Sequence, residues 1–137
     1  MMNHMERKAL DMLLAGEDPL LEVLRAQLAS VAVIERNFSG VGFFTGLSVP
    51  GGVPRAENCP RKVIGDVYAE ITGLEHSAGF LLYVLNGALD CLECFIVDNE
   101  WPNGATLIRA YYVQPQVPGS SQVVEAKKRD LEWALRV

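Results

Sequence analysis

The sequence predicts an α+β domain: two N-terminal helices packed on a curved antiparallel sheet of about six strands, plus a C-terminal helix. Three observations carry this. Apolar residues recur at helical spacing up to residue 28 and at alternating spacing from residue 31 to 113. Turn signals punctuate the alternating part, with Asn86-Gly87 the clearest hairpin signal. Runs of helix and runs of strand are segregated along the chain, the mark of α+β architecture.

The first helix is expected over residues 3–15. Asn3 is its N-cap and Glu6, three residues on, completes a capping box. Met5, Ala9, Met12 and Leu13 form its apolar stripe, widened by Leu10 and Leu14, and Gly16 ends it. Asp18 caps the second helix and Pro19 opens it, because a proline at the first helical position gives up no hydrogen bond. Leu20, Leu21, Leu24 and Leu28 line one face of this helix.

Strands are then expected at residues 31–38, 41–49, 62–72, 80–85, 88–97 and 105–113. In the second, Gly42 and Gly46 point to bulging, curvature or close approach of another group. In the third, Val63, Val67, Ala69 and Ile71 are expected inward and Asp66, Tyr68 and Glu70 outward. The fourth is apolar on both faces, which places it centrally in the sheet. Residues 50–61 make a long loop with three prolines, of the kind that is often functional. Residues 114–120 read as a linker, and residues 121–136 as a helix with Val124, Leu131 and Leu135 on its apolar face. The organisation is therefore one domain over residues 1–113, with a linker and helix over 114–137 that pack on it or on a partner subunit.

Composition narrows the classes. A chain of 137 residues builds a single core without disulfides or metal. The net charge of −5 disfavours nucleic acid, whose phosphates demand a basic stripe. The basic run Lys127-Lys128-Arg129 is flanked by Glu125 and Asp130 and reads as a solvated helix face. No apolar run reaches the ~20 residues of a membrane span, and no signal pattern opens the chain, so a cytoplasmic protein is expected. Three cysteines without framework spacing fit reduced thiols. Half the residues are hydrophobic and mean hydropathy is +0.15, so spare apolar surface is expected to meet a second copy, as a homodimer, or a small apolar or amphipathic ligand.

The stretch GLEHSAGFLLYVLNGALDCLECFIVDNEWP, residues 73–102, resembles a family of short bacterial proteins without assigned function. GVGFFT at residues 40–45 and Gly65-Asp66-Val67 are similar to that family too, so the resemblance spans about residues 5–113. Ser77 and Cys94 depart from it, each standing where the family pattern has glycine. The resemblance implies a shared fold and brings no activity, cofactor or site residue.

Cys91-Leu-Glu-Cys94 has redox or zinc spacing, but on a strand its sulfurs point to opposite faces. Cys59 has Arg55, Arg61 and Lys62 near it, which would favour a thiolate, yet the chain offers only His4 and His76 as bases. Glu75-His76 lies in a connection flanked by glycines at the mouth of the central strand, where an imidazole either does acid–base work or holds the turn. Glu93 shares a strand face with Leu89, Cys91, Phe95 and Val97, and Arg109 sits between Leu107 and Tyr111. The two are expected either to pair across strands inside a partly polar cavity or to lie on an exposed face. Trp101 either stacks a ligand or caps the core.

No motif fixes a reaction, and no catalytic residue, metal or cofactor is assigned. The expectation is a non-enzymatic binding protein with a ligand or partner site on the curved sheet, built from His76, Glu93, Arg109, Tyr111, Trp101 and Phe44. Two alternatives stand beside it. One is a small hydrolase or isomerase-like enzyme using His76 with Glu93 or Asp98; the other is a module that neutralises another protein.

Overall fold

The computed structural model describes residues 1–136. Helix α1 spans His4–Leu13, and the capping box forms as expected: the Asn3 side chain accepts from the Glu6 N–H while Glu6 reaches back to the Asn3 N–H. Helix α2 spans Pro19–Gln27, with Asp18 accepting from the Leu20 N–H and Pro19 opening the first turn. Seven strands follow instead of about six: β1 Ala32–Phe38, β2 Gly42–Ser48, β3 Arg61–Ile71, β4 Ala78–Leu85, β5 Ala88–Phe95, β6 Leu107–Pro115 and β7 Val123–Glu125. A short helix, α3, spans Leu131–Ala134.

All strands pair antiparallel in one open sheet, in the order β1-β2-β5-β4-β3-β6-β7. The apolar β4 is the middle strand, as its two hydrophobic faces demand. Asn86 (φ 50) and Gly87 (φ 74) turn the β4–β5 hairpin with both residues left-handed, as a type I′ turn requires. Helices α1 and α2 cover one face, and the core fills between them: Leu10, Leu13, Leu21 and Leu24 from the helices meet Ile64, Phe80, Leu82 and Leu92 from the sheet. Neither α1 nor α2 covers the other face. Among the described residues no helix is long and apolar enough to cross a membrane.

Two bulges redirect side chains. The β3–β4 register shifts between Ile64 and Val67, so Ile64 points to the core and Val63 does not. Asp66, expected outward, is 1% exposed and lies on the helix side. A second shift, opposite Tyr83 and Val84, inserts Asp90 on β5 and turns Leu89 inward, whereas Cys91, Glu93 and Phe95 stay on the open face. One inserted residue inverts the inward–outward alternation of everything beyond it.

The C-terminal region also differs from expectation. Residues 121–136 have helical spacings, but Val123–Glu125 pair with β6 as a strand, and helix is confined to four residues. Strand β6 pairs only with the Val67–Ile71 half of β3. Along the other half, Lys62 donates to the Leu135 carbonyl and Arg129 reaches Asp66. Arg129, expected on a solvated face, has a side chain only 8% exposed; it forks onto both Asp66 oxygens and donates to the carbonyls of Met12, Leu13 and Ala15 at the end of α1. This one guanidinium thus ties the C-terminal segment to the sheet and to the C-terminus of α1, whose last carbonyls attract a cation.

Candidate functional site

Antiparallel pairing lines up the open face in rows across the sheet. Asn37, Phe44, Glu93 and Leu81 lie side by side on β1, β2, β5 and β4. Beside them runs the row Glu35, Gly46, Cys91, Tyr83 and Val63. On the other side come Gly42, Phe95, Gly79, Tyr68 and Tyr111. Glycine is needed twice in this last row. A Cβ on Gly79 would lie 2.2 Å from the tip of the Phe95 ring, so the ring occupies the space a side chain there would fill. A Cβ on Gly42 (φ +144) would lie 2.0 Å from the Cys94 carbonyl oxygen. The close approach expected from strand glycines is therefore real at Gly42, and it closes β2 onto β5.

The C-terminal segment turns this face into a groove. A cavity of about 930 Å³ has Tyr68, Leu81 and Phe95 as its floor. The 114–121 turn, with Pro115, Val117 and Pro118, makes one wall and Trp133 of α3 another. Tyr68 meets Phe95 edge to face at 5.9 Å, which fixes the floor. Through Gly65, Leu81 and Arg136 the groove joins a recess of about 440 Å³ that also has Arg61, Lys62 and Val63 in its lining.

Four of the six expected site residues lie on this open face. Glu93 and Arg109 do not pair. Strands β4 and β3 stand between β5 and β6, which alone puts the two residues at least roughly 14 Å apart at the usual strand spacing of ~4.8 Å, and the register offsets them further along the strands. Glu93 instead accepts from the Tyr83 hydroxyl at 2.8 Å. Burial, the Glu93 hydrogen bond and nearby negative charge push the Tyr83 phenol up to about 12. Arg109 forks between Glu70 and Glu125 and lies over the Tyr111 ring at 4.5 Å. Hydrogen bonds to these two carboxylates raise its pKa, and its side chain is 46% exposed. Tyr111 bonds the Ser77 hydroxyl at 2.6 Å. Cys94 is buried in the core. Phe44 stands exposed at the centre of its row.

His76 and Trp101 lie elsewhere. His76, 63% exposed at its side chain, sits in the β3–β4 connection with Nδ1 3.6 Å from Asp98. The Asp98 carboxylate accepts the N–H groups of Glu75 at 2.9 Å and His76 at 3.3 Å. Those amide bonds, the Glu75 one foremost, together with the His76 imidazole hold its carboxyl below the usual range. Ligand atoms of Glu75, His76 and Asp98 lie within 4.8 Å of one another. Because Asp98 already serves two amides, the trio acts as a clamp that shapes the loop. Trp101 is on the helix side, edge-on to Phe43 at 5.4 Å. With Phe38 and Leu107 it lines a separate cavity of about 280 Å³ beside the first turn of α1.

The Cys91 and Cys94 sulfurs fall on opposite faces. Burial and Glu93 push the Cys94 thiol up to about 12, and burial, Asp90 and Glu93 raise Cys91, so both are held as thiols.

One charged residue escaped the sequence reading. Glu6, fully buried, accepts from Arg36 through Nε and Nη2 at 2.8 and 2.7 Å, from Thr45 Oγ1 at 2.6 Å and from the Asn3 N–H at 2.9 Å. Burial alone would raise its pKa, but these bonds and the Arg36 charge together hold it below the ordinary value. The signal was present: Glu6 precedes Ala9, Leu10 and Leu13 by three, four and seven residues, which puts it on the buried stripe.

Comparison with protein families, curated proteins and solved structures finds no match for this chain.

Proposed function

We propose that the chain is a non-enzymatic binding protein whose site is the groove on the open face of its sheet. One observation carries this reading: half-buried Tyr68, Leu81 and Phe95 form a continuous apolar floor that the 114–121 turn and α3 wall in without covering. A volume of about 930 Å³ is ample for a small molecule, and apolar walls with a few polar groups are the usual make-up of ligand sites. Acid–base catalysis needs its groups within reach of one reacting atom. Glu93 stands level with Leu81, three residues into β4 and so roughly 10 Å beyond the strand end that carries His76. This separation sets Glu93 apart from His76, and Asp98, 3.6 Å from the imidazole, is already engaged by the amides of Glu75 and His76, which favours binding over chemistry.

The groove can be read by fluorescence, because Trp133 lines it and Trp101 lies on the opposite side of the sheet. In a Trp101→Phe background, a ligand that enters the groove should change Trp133 emission saturably at one equivalent, and Leu81→Glu should abolish the change. A broad panel of apolar and amphipathic compounds that leaves Trp133 unmoved would sink the proposal, as would unaltered binding by the Leu81→Glu protein.

A further inference from the structure

The charge around the groove is lopsided, and this bears on what it holds. Its recess is lined by Arg61, Lys62 and Arg136 over Val63, Gly65 and Leu81, with no carboxylate in that lining among the described residues. The protein as a whole is acidic, at −5, so a local set of three cations runs against its average. Lys62 is partly committed, since it donates to the Leu135 carbonyl. Arg136 lies over the Trp133 ring at 4.1 Å and gives one N–H to the Trp133 carbonyl. Arg61 is exposed at the start of β3 and forms no ion pair among the described residues. Two acids near the groove already hold hydrogen bonds: Glu93 on β5 accepts from Tyr83, and Asp130, in the lining of the groove, accepts from the Trp133 N–H as the cap of α3. Away from the cations, the floor is Leu81, Tyr68 and Phe95 and the wall Pro115, Val117 and Pro118. One end is therefore basic and the body apolar.

We infer that the groove takes an amphipathic monoanion, a free carboxylate carrying an apolar tail. Its head group would lie between Arg61 and Arg136, and its tail over Leu81, Tyr68 and Phe95 towards the 114–121 turn. A guanidinium donates two parallel N–H bonds to a carboxylate, so two arginines at one end suit that head group. This inference rests on the groove being the binding site and adds the chemical class of its occupant.

The test uses the full chain and three probes of equal tail length: dodecanoate, dodecanol and dodecyltrimethylammonium, each below its micelle concentration. Calorimetry or Trp133 emission should show saturable one-to-one binding of dodecanoate, about tenfold weaker binding of dodecanol, and no binding of the cation. Arg61→Gln and Arg136→Gln should each weaken dodecanoate about fivefold, as removal of a partly exposed charge pair does, and leave dodecanol unchanged. Both arginines are exposed, and an unchanged thermal midpoint will verify that the variants fold. Equal binding of dodecanoate and dodecanol overturns the anion assignment but leaves the groove reading intact. Failure of all three probes overturns both. Sedimentation with anionic phosphatidylglycerol vesicles, without saturable uptake of free dodecanoate, would mean a lipid surface and overturn the inference too.

Discussion

On the helix-covered face of the sheet, the carboxylates of Glu6 and Asp66 are sealed from solvent, each with its own arginine, Arg36 and Arg129. On the open face, Glu70 and Glu125 share Arg109 with side chains 45–49% exposed. The pairs have similar lengths, 2.6 to 3.0 Å, so geometry does not separate them. Burial does. A charge removed from water and held by one partner becomes costly when that partner is lost, whereas an exposed pair is screened by solvent and salt. The covered face has therefore used its charges to lock the fold, and the open face keeps its charges adjustable.

Breaking the covered face at its strongest point should have the largest effect. Asp66→Ala leaves Arg129 buried without its anion and is expected to destabilise by about 3–5 kcal/mol in urea unfolding. A loss under 1 kcal/mol would mean that the C-terminal segment is held by other contacts. Next comes Glu6→Gln, which removes a charged acceptor of four hydrogen bonds and should cost roughly 1.5–3 kcal/mol. The sign with pH follows from the lowered carboxyl. The stabilisation is complete above the ordinary value of 4.5 and is lost as pH falls through the depressed folded value. Wild type should thus weaken as pH falls from about 4.5 to that depressed value, and Glu6→Gln should flatten this acid limb of the stability profile.

Smaller effects sharpen the contrast from the open side. Gly79→Ala should lift the Phe95 ring off the backbone and cost about 1–3 kcal/mol, with a loss of groove binding that unfolding curves and Trp133 titrations measure separately. Arg109→Ala should leave the thermal midpoint unchanged at low and high salt, since both its carboxylate partners remain hydrated. A clear drop in midpoint would show that the Arg109 fork anchors β7.

Glu93 and Asp66 show how far the site was legible. Glu93 was singled out because a carboxylate in an apolar strand is anomalous, and that anomaly marks the open face. Of the two alternatives, pairing with Arg109 fails because neighbours in sequence are not neighbours in the sheet: the hairpin places β4 beside β5, and β3 then separates both from β6. Asp66 was placed on the wrong side because a bulge adds one residue that periodicity alone does not register. Arg129 was hidden in a basic run, and the groove itself was unreadable. Its walls come from residues 114–121 and 133–136 folding back over β3, β4 and β5.

By itself the sequence determined what depends on near neighbours: the Asn3–Glu6 capping box, the Asp18-Pro19 helix start, the Asn86-Gly87 hairpin and the central place of β4. These follow from local hydrogen bonds, fixed dihedral preferences and the alternation of apolar residues. Tertiary structure alone decided strand order, the bulges, the conversion of residues 123–125 from expected helix to strand, and the pairing of each buried charge. The physical reason is range. Val123–Glu125 become a strand because the β6 edge offers unpaired backbone groups, and Asp66 is tolerated inside because a guanidinium arrives from 63 residues away.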